Sequence, residues 1–357
     1  MLNYLLKLFI GLKEHEGREL GSPKKFLIVR QHNQFGDMLA NVSIFRAIKE
    51  TYPESEITLI VSPQNFYAIT KNKFIDRYYN FDKKKFFSLA YIRKFWNILK
   101  EPYDVVVIPS TVSISSTSLI LGRLANAKVR IGPASLNGEK NKYSYLVDRR
   151  IKLDWRKYPD AHVSDFGLEI IRPFGITTKD FSSNISFDQQ DIKVTEDFLK
   201  SGNMPEKQIL IGLHVGAGKP QNRWSVEKYI RLIEELNDQF ECSFILTGSS
   251  SDLEEIKLVS EGVKVRTYHF LNHTIPQLAA LISRLNIFIT NDTGVMHVAG
   301  TTPTPQISIF GPTNPFNWAP VGPNKYFIRK SDLIEDISVE DVFKLAKMIL
   351  GNLEKDI

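Results

Sequence analysis

Two parts of this chain repeat one pattern, in which a short apolar run leads through a loop into a stretch with helical periodicity. The first part has apolar runs at 26–29 and 57–61, separated by a glycine-containing loop at 30–37 and a helical pattern over 38–52. The second part restarts with the apolar run 209–213. Fully apolar runs of this length are typical of strands buried in parallel sheets. Strands that alternate with helices therefore predict an α/β protein with two doubly wound, Rossmann-like sheets.

The same reading places further elements in both halves. A strand is expected at 104–108 in the first half. In the second half, strands are expected at 243–248, 287–290 and 306–310, and helices at 226–240, 275–285, 295–300 and 339–350. Ligands of such sheets bind beyond the carboxyl ends of the strands. We therefore expect the site on the loops after the strands, in a cleft between two domains.

The chain length of 357 residues is enough for about two domains. Polar residues concentrate between 180 and 191, so the join is expected within 175–205. The expected organisation is an amphipathic segment at 1–22, a first domain at 23–190, a second domain at 191–335 and a final helix at 336–357 that packs back on the first domain.

The composition is that of a globular protein, with 43% hydrophobic and 24% charged residues. It excludes a disordered chain, a collagen-like repeat and a coiled coil. No uncharged apolar run reaches about 18 residues, so no membrane-spanning helix is expected. The single cysteine, Cys242, excludes an internal disulfide and a thiolate zinc site, and a reducing compartment is the simplest fit.

The charge is unevenly distributed. Residues 1–190 contain 29 Lys and Arg against 19 Asp and Glu, whereas residues 191–357 contain 17 against 21. A basic first half predicts an anionic partner, which charge alone leaves open between nucleic acid, an anionic membrane surface and a phosphorylated glycan; a solvated lysine-rich surface is the alternative. The apolar segment 2–12, interrupted by Lys7, is either a short interfacial anchor or a helix packed on the protein's own core.

The most informative loop is 291–297, where an expected strand runs into a helix. The first amides of a helix lack internal partners, so a diphosphate would suit Thr293 and Gly294, with His297 one turn further along. Asp292 could accept hydrogen bonds from sugar hydroxyls. The alternative is structural: Asp292 caps the helix and His297 belongs to the core.

Two other loops carry candidate groups. The run 216–219 is not a P-loop, because Pro220 follows its lysine, but Arg223 nearby could clamp a phosphate with two parallel hydrogen bonds or could be a surface side chain. In the first half, Asp37 begins a helix after a strand, where it is either an ordinary cap or a general base for a hydroxyl.

Several chemistries are disfavoured by missing motifs. The chain has no Asp-x-Asp and only one cysteine, so no catalytic metal is expected. It has no Gly-x-Ser-x-Gly elbow, which disfavours a serine hydrolase. It also lacks Gly-x-Gly-x-x-Gly, which leaves a dinucleotide-dependent oxidoreductase as a remote alternative.

Taken together, the motifs resemble glycosyltransferase family 9, the ADP-heptose:lipopolysaccharide heptosyltransferases. The matching stretches, in chain order, are 36–39, 212–218 with Arg223 and Trp224, 291–299 and 310–313. The resemblance implies a GT-B fold and an inverting, metal-independent transfer without a cofactor. It implies that 23–190 binds the acceptor and 191–335 binds the nucleotide-sugar donor.

The resemblance also implies roles for single residues. Asp37 matches the catalytic base. Donor-binding positions are matched by Gly216, Ala217, Arg223, Asp252, His273, Asp292, Thr293, Gly294 and His297. Asp252 would hold the adenosine ribose, and His273 stands where an apolar residue lines the adenine pocket. Arg130 matches a recurrent basic position and is grouped with Arg30 as a candidate acceptor contact.

The expected function is transfer of a heptose from ADP-heptose to a lipopolysaccharide inner-core acceptor. The expected partners are that donor and an anionic, lipid-linked glycan, with no nucleic acid. The expected location is the cytoplasm, with peripheral contact to the inner membrane. Two further alternatives remain. One is an enzyme of the same kind that transfers another nucleotide-activated sugar to a capsule or O-antigen. The other is a non-catalytic scaffold that binds an anionic polymer.

Overall fold

The structure is a computed structural model that describes residues 7–31, 35–85, 87–204 and 208–353. The chain divides into two compact units, Met1–Phe181 and Ser182–Ile357, called unit 1 and unit 2 below. The division falls inside the polar stretch 175–205, where we expect the join. Residues 1–6 of the predicted N-terminal segment and residues 354–357 of the last predicted helix lie outside the described part.

Unit 1 is built on one mixed sheet. Its strands are β1 (Lys25–Arg30), β2 (Glu56–Val61), β3 (Arg77–Asn80), β4 (Tyr103–Val107), β5 (Ala127–Leu136), β6 (Glu139–Lys140) and β7 (Arg149–Leu153). Its helices are α1 (Phe35–Ala40), α2 (Val42–Thr51), α3 (Leu89–Lys100), α4 (Ser116–Leu124) and α5 (Val163–Phe166). The sheet order is β3-β2-β1-β4-β5-β6, with β7 also paired to β5; the pairings are parallel except the β5–β6 hairpin.

Unit 2 repeats the plan with an all-parallel sheet. Its strands are β8 (Ile209–His214), β9 (Cys242–Gly248), β10 (Thr267–Leu271), β11 (Ile287–Asn291), β12 (Gln306–Ile309) and β13 (Lys325–Ile328). Its helices are α6 (Gln189–Ser201), α7 (Val226–Gln239), α8 (Leu253–Gly262), α9 (Ile275–Ile282), α10 (Gly294–Gly300), α11 (Pro315–Trp318) and α12 (Val339–Leu353). The order is β10-β9-β8-β11-β12-β13. Two doubly wound sheets confirm the predicted fold class.

The cores follow from the apolar strands. In unit 2, alternate residues of β8 and β11, such as Ile211, Leu213 and Ile289, are fully buried against α7 and α12. A buried parallel strand must be apolar on both faces, because helices cover both. This is why β1, β2, β4, β8, β9, β11 and β12 could be located from runs of Val, Ile, Leu and Phe, whereas β3, β5, β6, β7, β10 and β13 were not predicted.

The first predicted helix, 38–52, is interrupted. The structure has α1 and α2 with a break at Asn41, whose side-chain amide donates to the backbone carbonyl and the carboxylate of Asp37. An asparagine side chain that bonds nearby backbone competes with the helical hydrogen-bond pattern. The prediction of one continuous helix was therefore wrong at this position.

The last helix was predicted to pack back on the first domain. Its apolar face, including Val342, Ala346 and Leu350, is buried in the core of unit 2, where α12 packs on α7. The apolar face of α12 is therefore part of the core of unit 2. Over the described residues, no helix is both long enough and apolar enough to cross a bilayer.

Candidate active site

The predicted donor residues of unit 2 lie at one edge of its sheet. Gly216 and Ala217 follow β8, Asp252 follows β9, and His273 follows β10. The segment 292–294 follows β11, which pairs with β8. Because these strands are parallel neighbours, their carboxyl ends meet at the same edge. The fold thus gathers side chains that lie up to 78 positions apart in the chain.

The loop after β8 is held by its carbonyl oxygens. The side-chain amide of Asn291 donates to the carbonyls of Val215, at 3.0 Å, and Gly216, at 3.2 Å. Arg223 Nε donates to the Ala217 carbonyl at 2.9 Å. The C=O and N–H of a trans peptide point in opposite directions, so the amides of residues 216–218 point away from these side chains. Consecutive outward amides form a concavity suited to an anion.

Asn291 was missed as a site residue, although it lies in the motif 291–297. It is fully buried, and its Oδ1 accepts from the Trp224 amide at 3.2 Å and the Tyr229 hydroxyl at 3.0 Å. It therefore joins the end of β11, the loop after β8 and the start of α7. Sequence reasoning could not find this role, because four partners from distant segments define it.

Gly216 is required by its neighbour Asp252. A Cβ at Gly216 would lie 2.1 Å from Asp252 Oδ1, a distance at which atoms overlap. Asp252 is buried, and its Oδ2 accepts from the Ser249 amide at 2.8 Å. The carboxylate predicted to hold a ribose is thus fixed against the loop that presents the amides.

His214, below this loop, is a buried imidazole. Its Nδ1 lies 2.9 Å from the Thr247 carbonyl, which can only accept, so Nδ1 carries the proton. Burial lowers the pKa of His214 below its ordinary value, although the Asp252 charge and the bond to Thr247 act in the opposite sense. The ring therefore stays neutral in the folded state over a range where the unfolded chain is protonated.

A pH dependence of stability follows from His214. The unfolded state binds a proton there below about pH 6.5 and the folded state binds it less tightly, so the free energy of unfolding falls as pH falls below that value. The contribution is limited to about 1.4 kcal/mol per pH unit. When urea unfolding is measured at pH 7.5 and at pH 5, the free energy of unfolding should decrease less between these two pH values for His214→Asn than for the wild type. Equal losses in the two proteins would show that His214 does not contribute.

Asp292 does not cap the helix that follows it. The Asn222 side-chain amide donates to its Oδ2 at 2.9 Å, and Thr313 also hydrogen-bonds the carboxylate. Burial raises the pKa of the Asp292 carboxyl, and the bonds from Thr313 and Asn222 and the charge of Lys219 act in the opposite sense. Asn222, Thr313 and Lys219 are therefore site residues that the sequence analysis did not select, although two of them lie in quoted motifs.

Two predicted donor residues, Thr293 and Gly294, lie where α10 begins, at the carboxyl edge of the sheet of unit 2. Thr293 is the N-cap of α10 and makes no side-chain capping bond. Gly294 is the first residue of that helix. His297 is buried, with its ring 6.4 Å from that of Trp318 in an edge-to-face arrangement. The core role left open for His297 agrees with this burial.

The other two donor candidates are held by neighbours. Arg223 pairs through Nη1 with Glu255, in addition to its bond to Ala217. His273 stacks on Phe270 with ring centroids 3.6 Å apart, and burial lowers its pKa. Arg223 is thus a strut of the loop as well as a candidate phosphate ligand.

Unit 1 contains a buried cluster around Asp37. Its side chain is 1% exposed and pairs with Arg30, whose own exposure is 3%. Thr111, after β4, donates to Asp37 Oδ1 at 2.6 Å, and the Trp155 indole donates to the Thr111 carbonyl at 2.6 Å. β1 and β4 are neighbours, so this cluster also lies at the carboxyl edge of its sheet. Arg30, a predicted acceptor contact, is engaged with the carboxylate.

Arg130, the other predicted acceptor contact, is a structural group. Its three guanidinium nitrogens donate to the carbonyls of Gly122, Ala125 and Ala127 at 3.1, 2.6 and 2.9 Å. These carbonyls lie at and beyond the C-terminal end of α4, which a cation stabilises. The geometry favours capping of α4 over contact with a ligand.

A basic cavity of about 610 Å³ lies beside the β5–β6 hairpin of unit 1. Its lining includes Lys140, Lys142, Arg150, Lys152 and Lys157. The cavity was not predicted, because its cations come from a hairpin, a strand and a turn that share no motif. It could bind carboxylates or phosphates of an acceptor.

Among the described residues, no group of three His, Cys, Asp or Glu side chains is arranged to hold a metal ion. His269 and His273 have the four-residue spacing that pairs ligands on a helix, but they lie on and just after β10. Their rings are engaged separately, with Ser260 and with Phe270.

Comparison with known proteins decides the family. The model of glycosyltransferase family 9 (heptosyltransferase) matches residues 92–347, more than half of the chain. The chain belongs to glycosyltransferase family 9. It is 23% identical over 299 residues to lipopolysaccharide heptosyltransferase 3 of Escherichia coli, covering 80% of this chain and 83% of that protein.

Solved structures agree on the fold. A glycosyl transferase family 9 structure from Veillonella parvula has a TM-score of 0.78 at 21% identity, covering 92% of this chain and 97% of that one. The E. coli ADP-heptose lps heptosyltransferase II has a TM-score of 0.75 at 18% identity, covering 92% and 99%. This family 9 member is therefore a glycosyltransferase with a GT-B fold, as the motifs predicted.

Proposed function

We propose that this family 9 enzyme transfers a heptose from ADP-heptose to the inner core of a lipopolysaccharide. Two of the similar proteins named above, both from E. coli, are lipopolysaccharide heptosyltransferases, and one of them is described by its ADP-heptose donor. The observation that carries the proposal is the loop 216–218: Asn291 and Arg223 bind its carbonyls, which turns its amides away from those two side chains, and the carboxylates Asp252 and Asp292 follow the neighbouring strands.

The donor is proposed to lie along the carboxyl edge of the sheet of unit 2. The strand order β10-β9-β8-β11 spans three intervals of about 4.8 Å each, which suits an extended nucleotide-sugar. His273 and Asp252 are assigned to the adenosine, and the amides of 216–218 to the diphosphate. Asp292 is assigned to sugar hydroxyls, and the Thr293 hydroxyl and Gly294 amide to the phosphate next to the sugar.

The reaction is proposed to invert the anomeric centre without a metal ion. Asp37 accepts the proton of an acceptor hydroxyl, whose oxygen bonds the anomeric carbon as the bond from that carbon to the diphosphate oxygen breaks. ADP leaves with the bonding electron pair, and the amides of 216–218 with Arg223 stabilise its developing charge. For this, the acceptor hydroxyl replaces Thr111 or Arg30 as a partner of the Asp37 carboxylate.

The acceptor is proposed to be an anionic, lipid-linked glycan bound by unit 1. The basic cavity lined by Lys140, Lys142 and Lys157 supplies cations for its carboxylates and phosphates. Arg30 acts through Asp37 in this scheme, and Arg130 stays a cap of α4. With a nucleotide-sugar donor and a lipid-linked acceptor, the enzyme is proposed to act at the cytoplasmic face of the inner membrane.

The deciding experiment combines thermal protection with product analysis. ADP-heptose should raise the Tm of the full chain, and UDP-sugars should not. Incubation with a heptose-deficient core acceptor should add one heptose, in the presence of EDTA, with an anomeric configuration opposite to that of the donor by NMR. Protection by a UDP-sugar alone would instead identify a different donor and a different surface glycan.

Phosphate binding by Arg223 can be separated from its support of the loop 216–218. Arg223→Met removes both the charge and the loop contact, and should raise the Kd for ADP about 10- to 100-fold, since a hydrogen bond to a charged group contributes about 1.5–3 kcal/mol. Glu255→Gln, the matched control, removes only the ion-pair partner and should leave the Kd equal or lower. Isothermal titration with ADP measures both. An equal rise in the two variants would show that Arg223 only supports the loop.

A further inference from the structure

Three segments of unit 1 cover the same face of its sheet. The core on that face contains Leu27 and Val29 of β1 together with Phe95 of α3 and Leu119 of α4. Ile10, from the helical residues 7–10, packs against the same core. The outward side chains of these segments therefore form one surface.

This surface exposes large apolar side chains. Seven of the eleven that lie exposed in the described part of unit 1 are here: Leu8, Phe9, Phe87, Leu89, Trp96, Ile120 and Leu124, named the apolar patch below. Phe87 is 96% exposed, Leu89 83% and Phe9 82%. Scattered exposed apolar residues are ordinary, but a concentration on one face indicates an interaction surface.

Direct contacts join the segments that carry the patch. Arg123 of α4 donates from Nε to the Ile10 carbonyl at 2.6 Å. The Asn126 amide, just after α4, donates to the Leu99 carbonyl of α3 at 2.7 Å. The Lys100 ammonium lies 5.4 Å from the centre of the Trp96 ring. The patch is therefore carried by one connected part of unit 1.

The charge of these segments has one sign. Residues 7–13, 83–100 and 116–126 contain nine Lys and Arg and no Asp or Glu. Three of the cations, Lys83, Lys84 and Lys85, form an exposed turn that precedes Phe87 and α3. These segments account for most of the excess positive charge of the first half of the chain.

We propose that the apolar patch docks this enzyme on an anionic lipid bilayer surface. Exposed aromatic and aliphatic side chains on segments with a large excess of cations match the boundary between anionic headgroups and acyl chains. A protein partner would need a matching acidic rim, whereas a bilayer offers uniform negative charge to every lysine. The proposal goes beyond the transfer reaction, and rests on the proposed function only in that a lipid-linked acceptor gives docking its use.

The test is co-sedimentation of the full chain with vesicles. Binding is expected with phosphatidylglycerol-containing vesicles, and not with pure phosphatidylcholine, and it should weaken in 0.5 M salt because the Debye length falls to a few ångström. Phe9→Ser combined with Phe87→Ser and Leu89→Ser should lower the bound fraction at least tenfold. Leu253→Ser combined with Leu258→Ser and Leu333→Ser, which changes three exposed apolar residues of unit 2, should not.

Charge is tested in the same way. Lys83→Gln combined with Lys84→Gln and Lys85→Gln should weaken binding to anionic vesicles, and Lys257→Gln combined with Lys344→Gln and Lys347→Gln should not. Trp96 gives an independent signal: vesicles should shift the tryptophan emission to shorter wavelength, and Trp96→Phe should abolish the shift. All variants should keep the wild-type Tm, since the changed side chains are exposed.

Two outcomes would overturn the proposal. One is absence of binding, or equal binding by patch and control variants. The other is a dimer in sedimentation velocity that the patch variants dissociate, which would make a second copy the partner. Transfer to a water-soluble, deacylated acceptor should be unchanged in the patch variants. Absence of transfer with every donor, while vesicle binding persists, would contradict the proposed function but not the proposed docking surface.

Discussion

Asp37→Asn is expected to lower kcat by about 10²- to 10⁴-fold, with little change in the Kd for ADP-heptose. The asparagine keeps an oxygen that can accept from Thr111, but it cannot take a proton from an acceptor hydroxyl. Because the proposed donor residues belong to unit 2, their affinity for the nucleotide should not depend on this carboxylate. Steady-state transfer and isothermal titration on the same preparation measure the two quantities.

The matched control is Asp76→Asn in the same unit. Asp76 precedes β3, at the opposite edge of the sheet, and accepts from Lys49 and from the Ile57 amide at 2.7 Å each. It should cost some stability and leave kcat within about twofold. Asp37→Asn also leaves the buried Arg30 without its charge partner, so the Tm of this variant should fall. Its activity should therefore be assayed well below that Tm. A kcat close to wild type for Asp37→Asn would remove the base from the mechanism.

Asn291→Asp is expected to lower the free energy of unfolding by about 3–5 kcal/mol at neutral pH. The new carboxylate keeps the acceptor for Trp224 and Tyr229, but it faces the carbonyls of Val215 and Gly216 with an oxygen instead of an N–H. Burial of an unpaired charge and two unmade hydrogen bonds act together. The loop 216–218 loses its anchor, so the Kd for ADP should rise at least tenfold.

Asn286→Asp is the control for this change. Asn286 Oδ1 accepts from the Leu210 amide at 2.8 Å, and a carboxylate oxygen can accept the same bond. Its effect on stability should therefore stay within about 0.5–1 kcal/mol. Urea unfolding compares the two variants, and acidification to pH 5 should restore part of the loss in Asn291→Asp by protonating the carboxyl. If the two variants lost equal stability, Asn291 would not be the anchor of the loop.

The candidate site shows where reading the chain succeeds. Asp292 was located because it follows an apolar run that was interpreted as a buried strand, and parallel order brings such positions to one edge; Asp252 and His273 were selected from the family resemblance alone. The family motifs then assigned them to a donor. Neither step requires knowledge of which side chains touch.

The same site also contains residues whose roles could not be predicted from the sequence. Arg223 was assigned to a phosphate, and the structure also binds it to Glu255 and Ala217; Arg130 was assigned to an acceptor, and it caps α4. An exposed cation and a buried cap look alike in a sequence. Asn291 and Asn222 were overlooked for the complementary reason, since their partners lie about 70 positions away.

The alternation of strands and helices, the two sheets and the family followed from the chain alone, because apolar periodicity and short motifs are local properties of neighbouring residues. The pairing of Asp37 with Arg30, the outward amides of 216–218 and the apolar patch were decided only in three dimensions. Hydrogen bonds, ion pairs and exposure depend on which distant segments meet, and one segment carries no record of its partner.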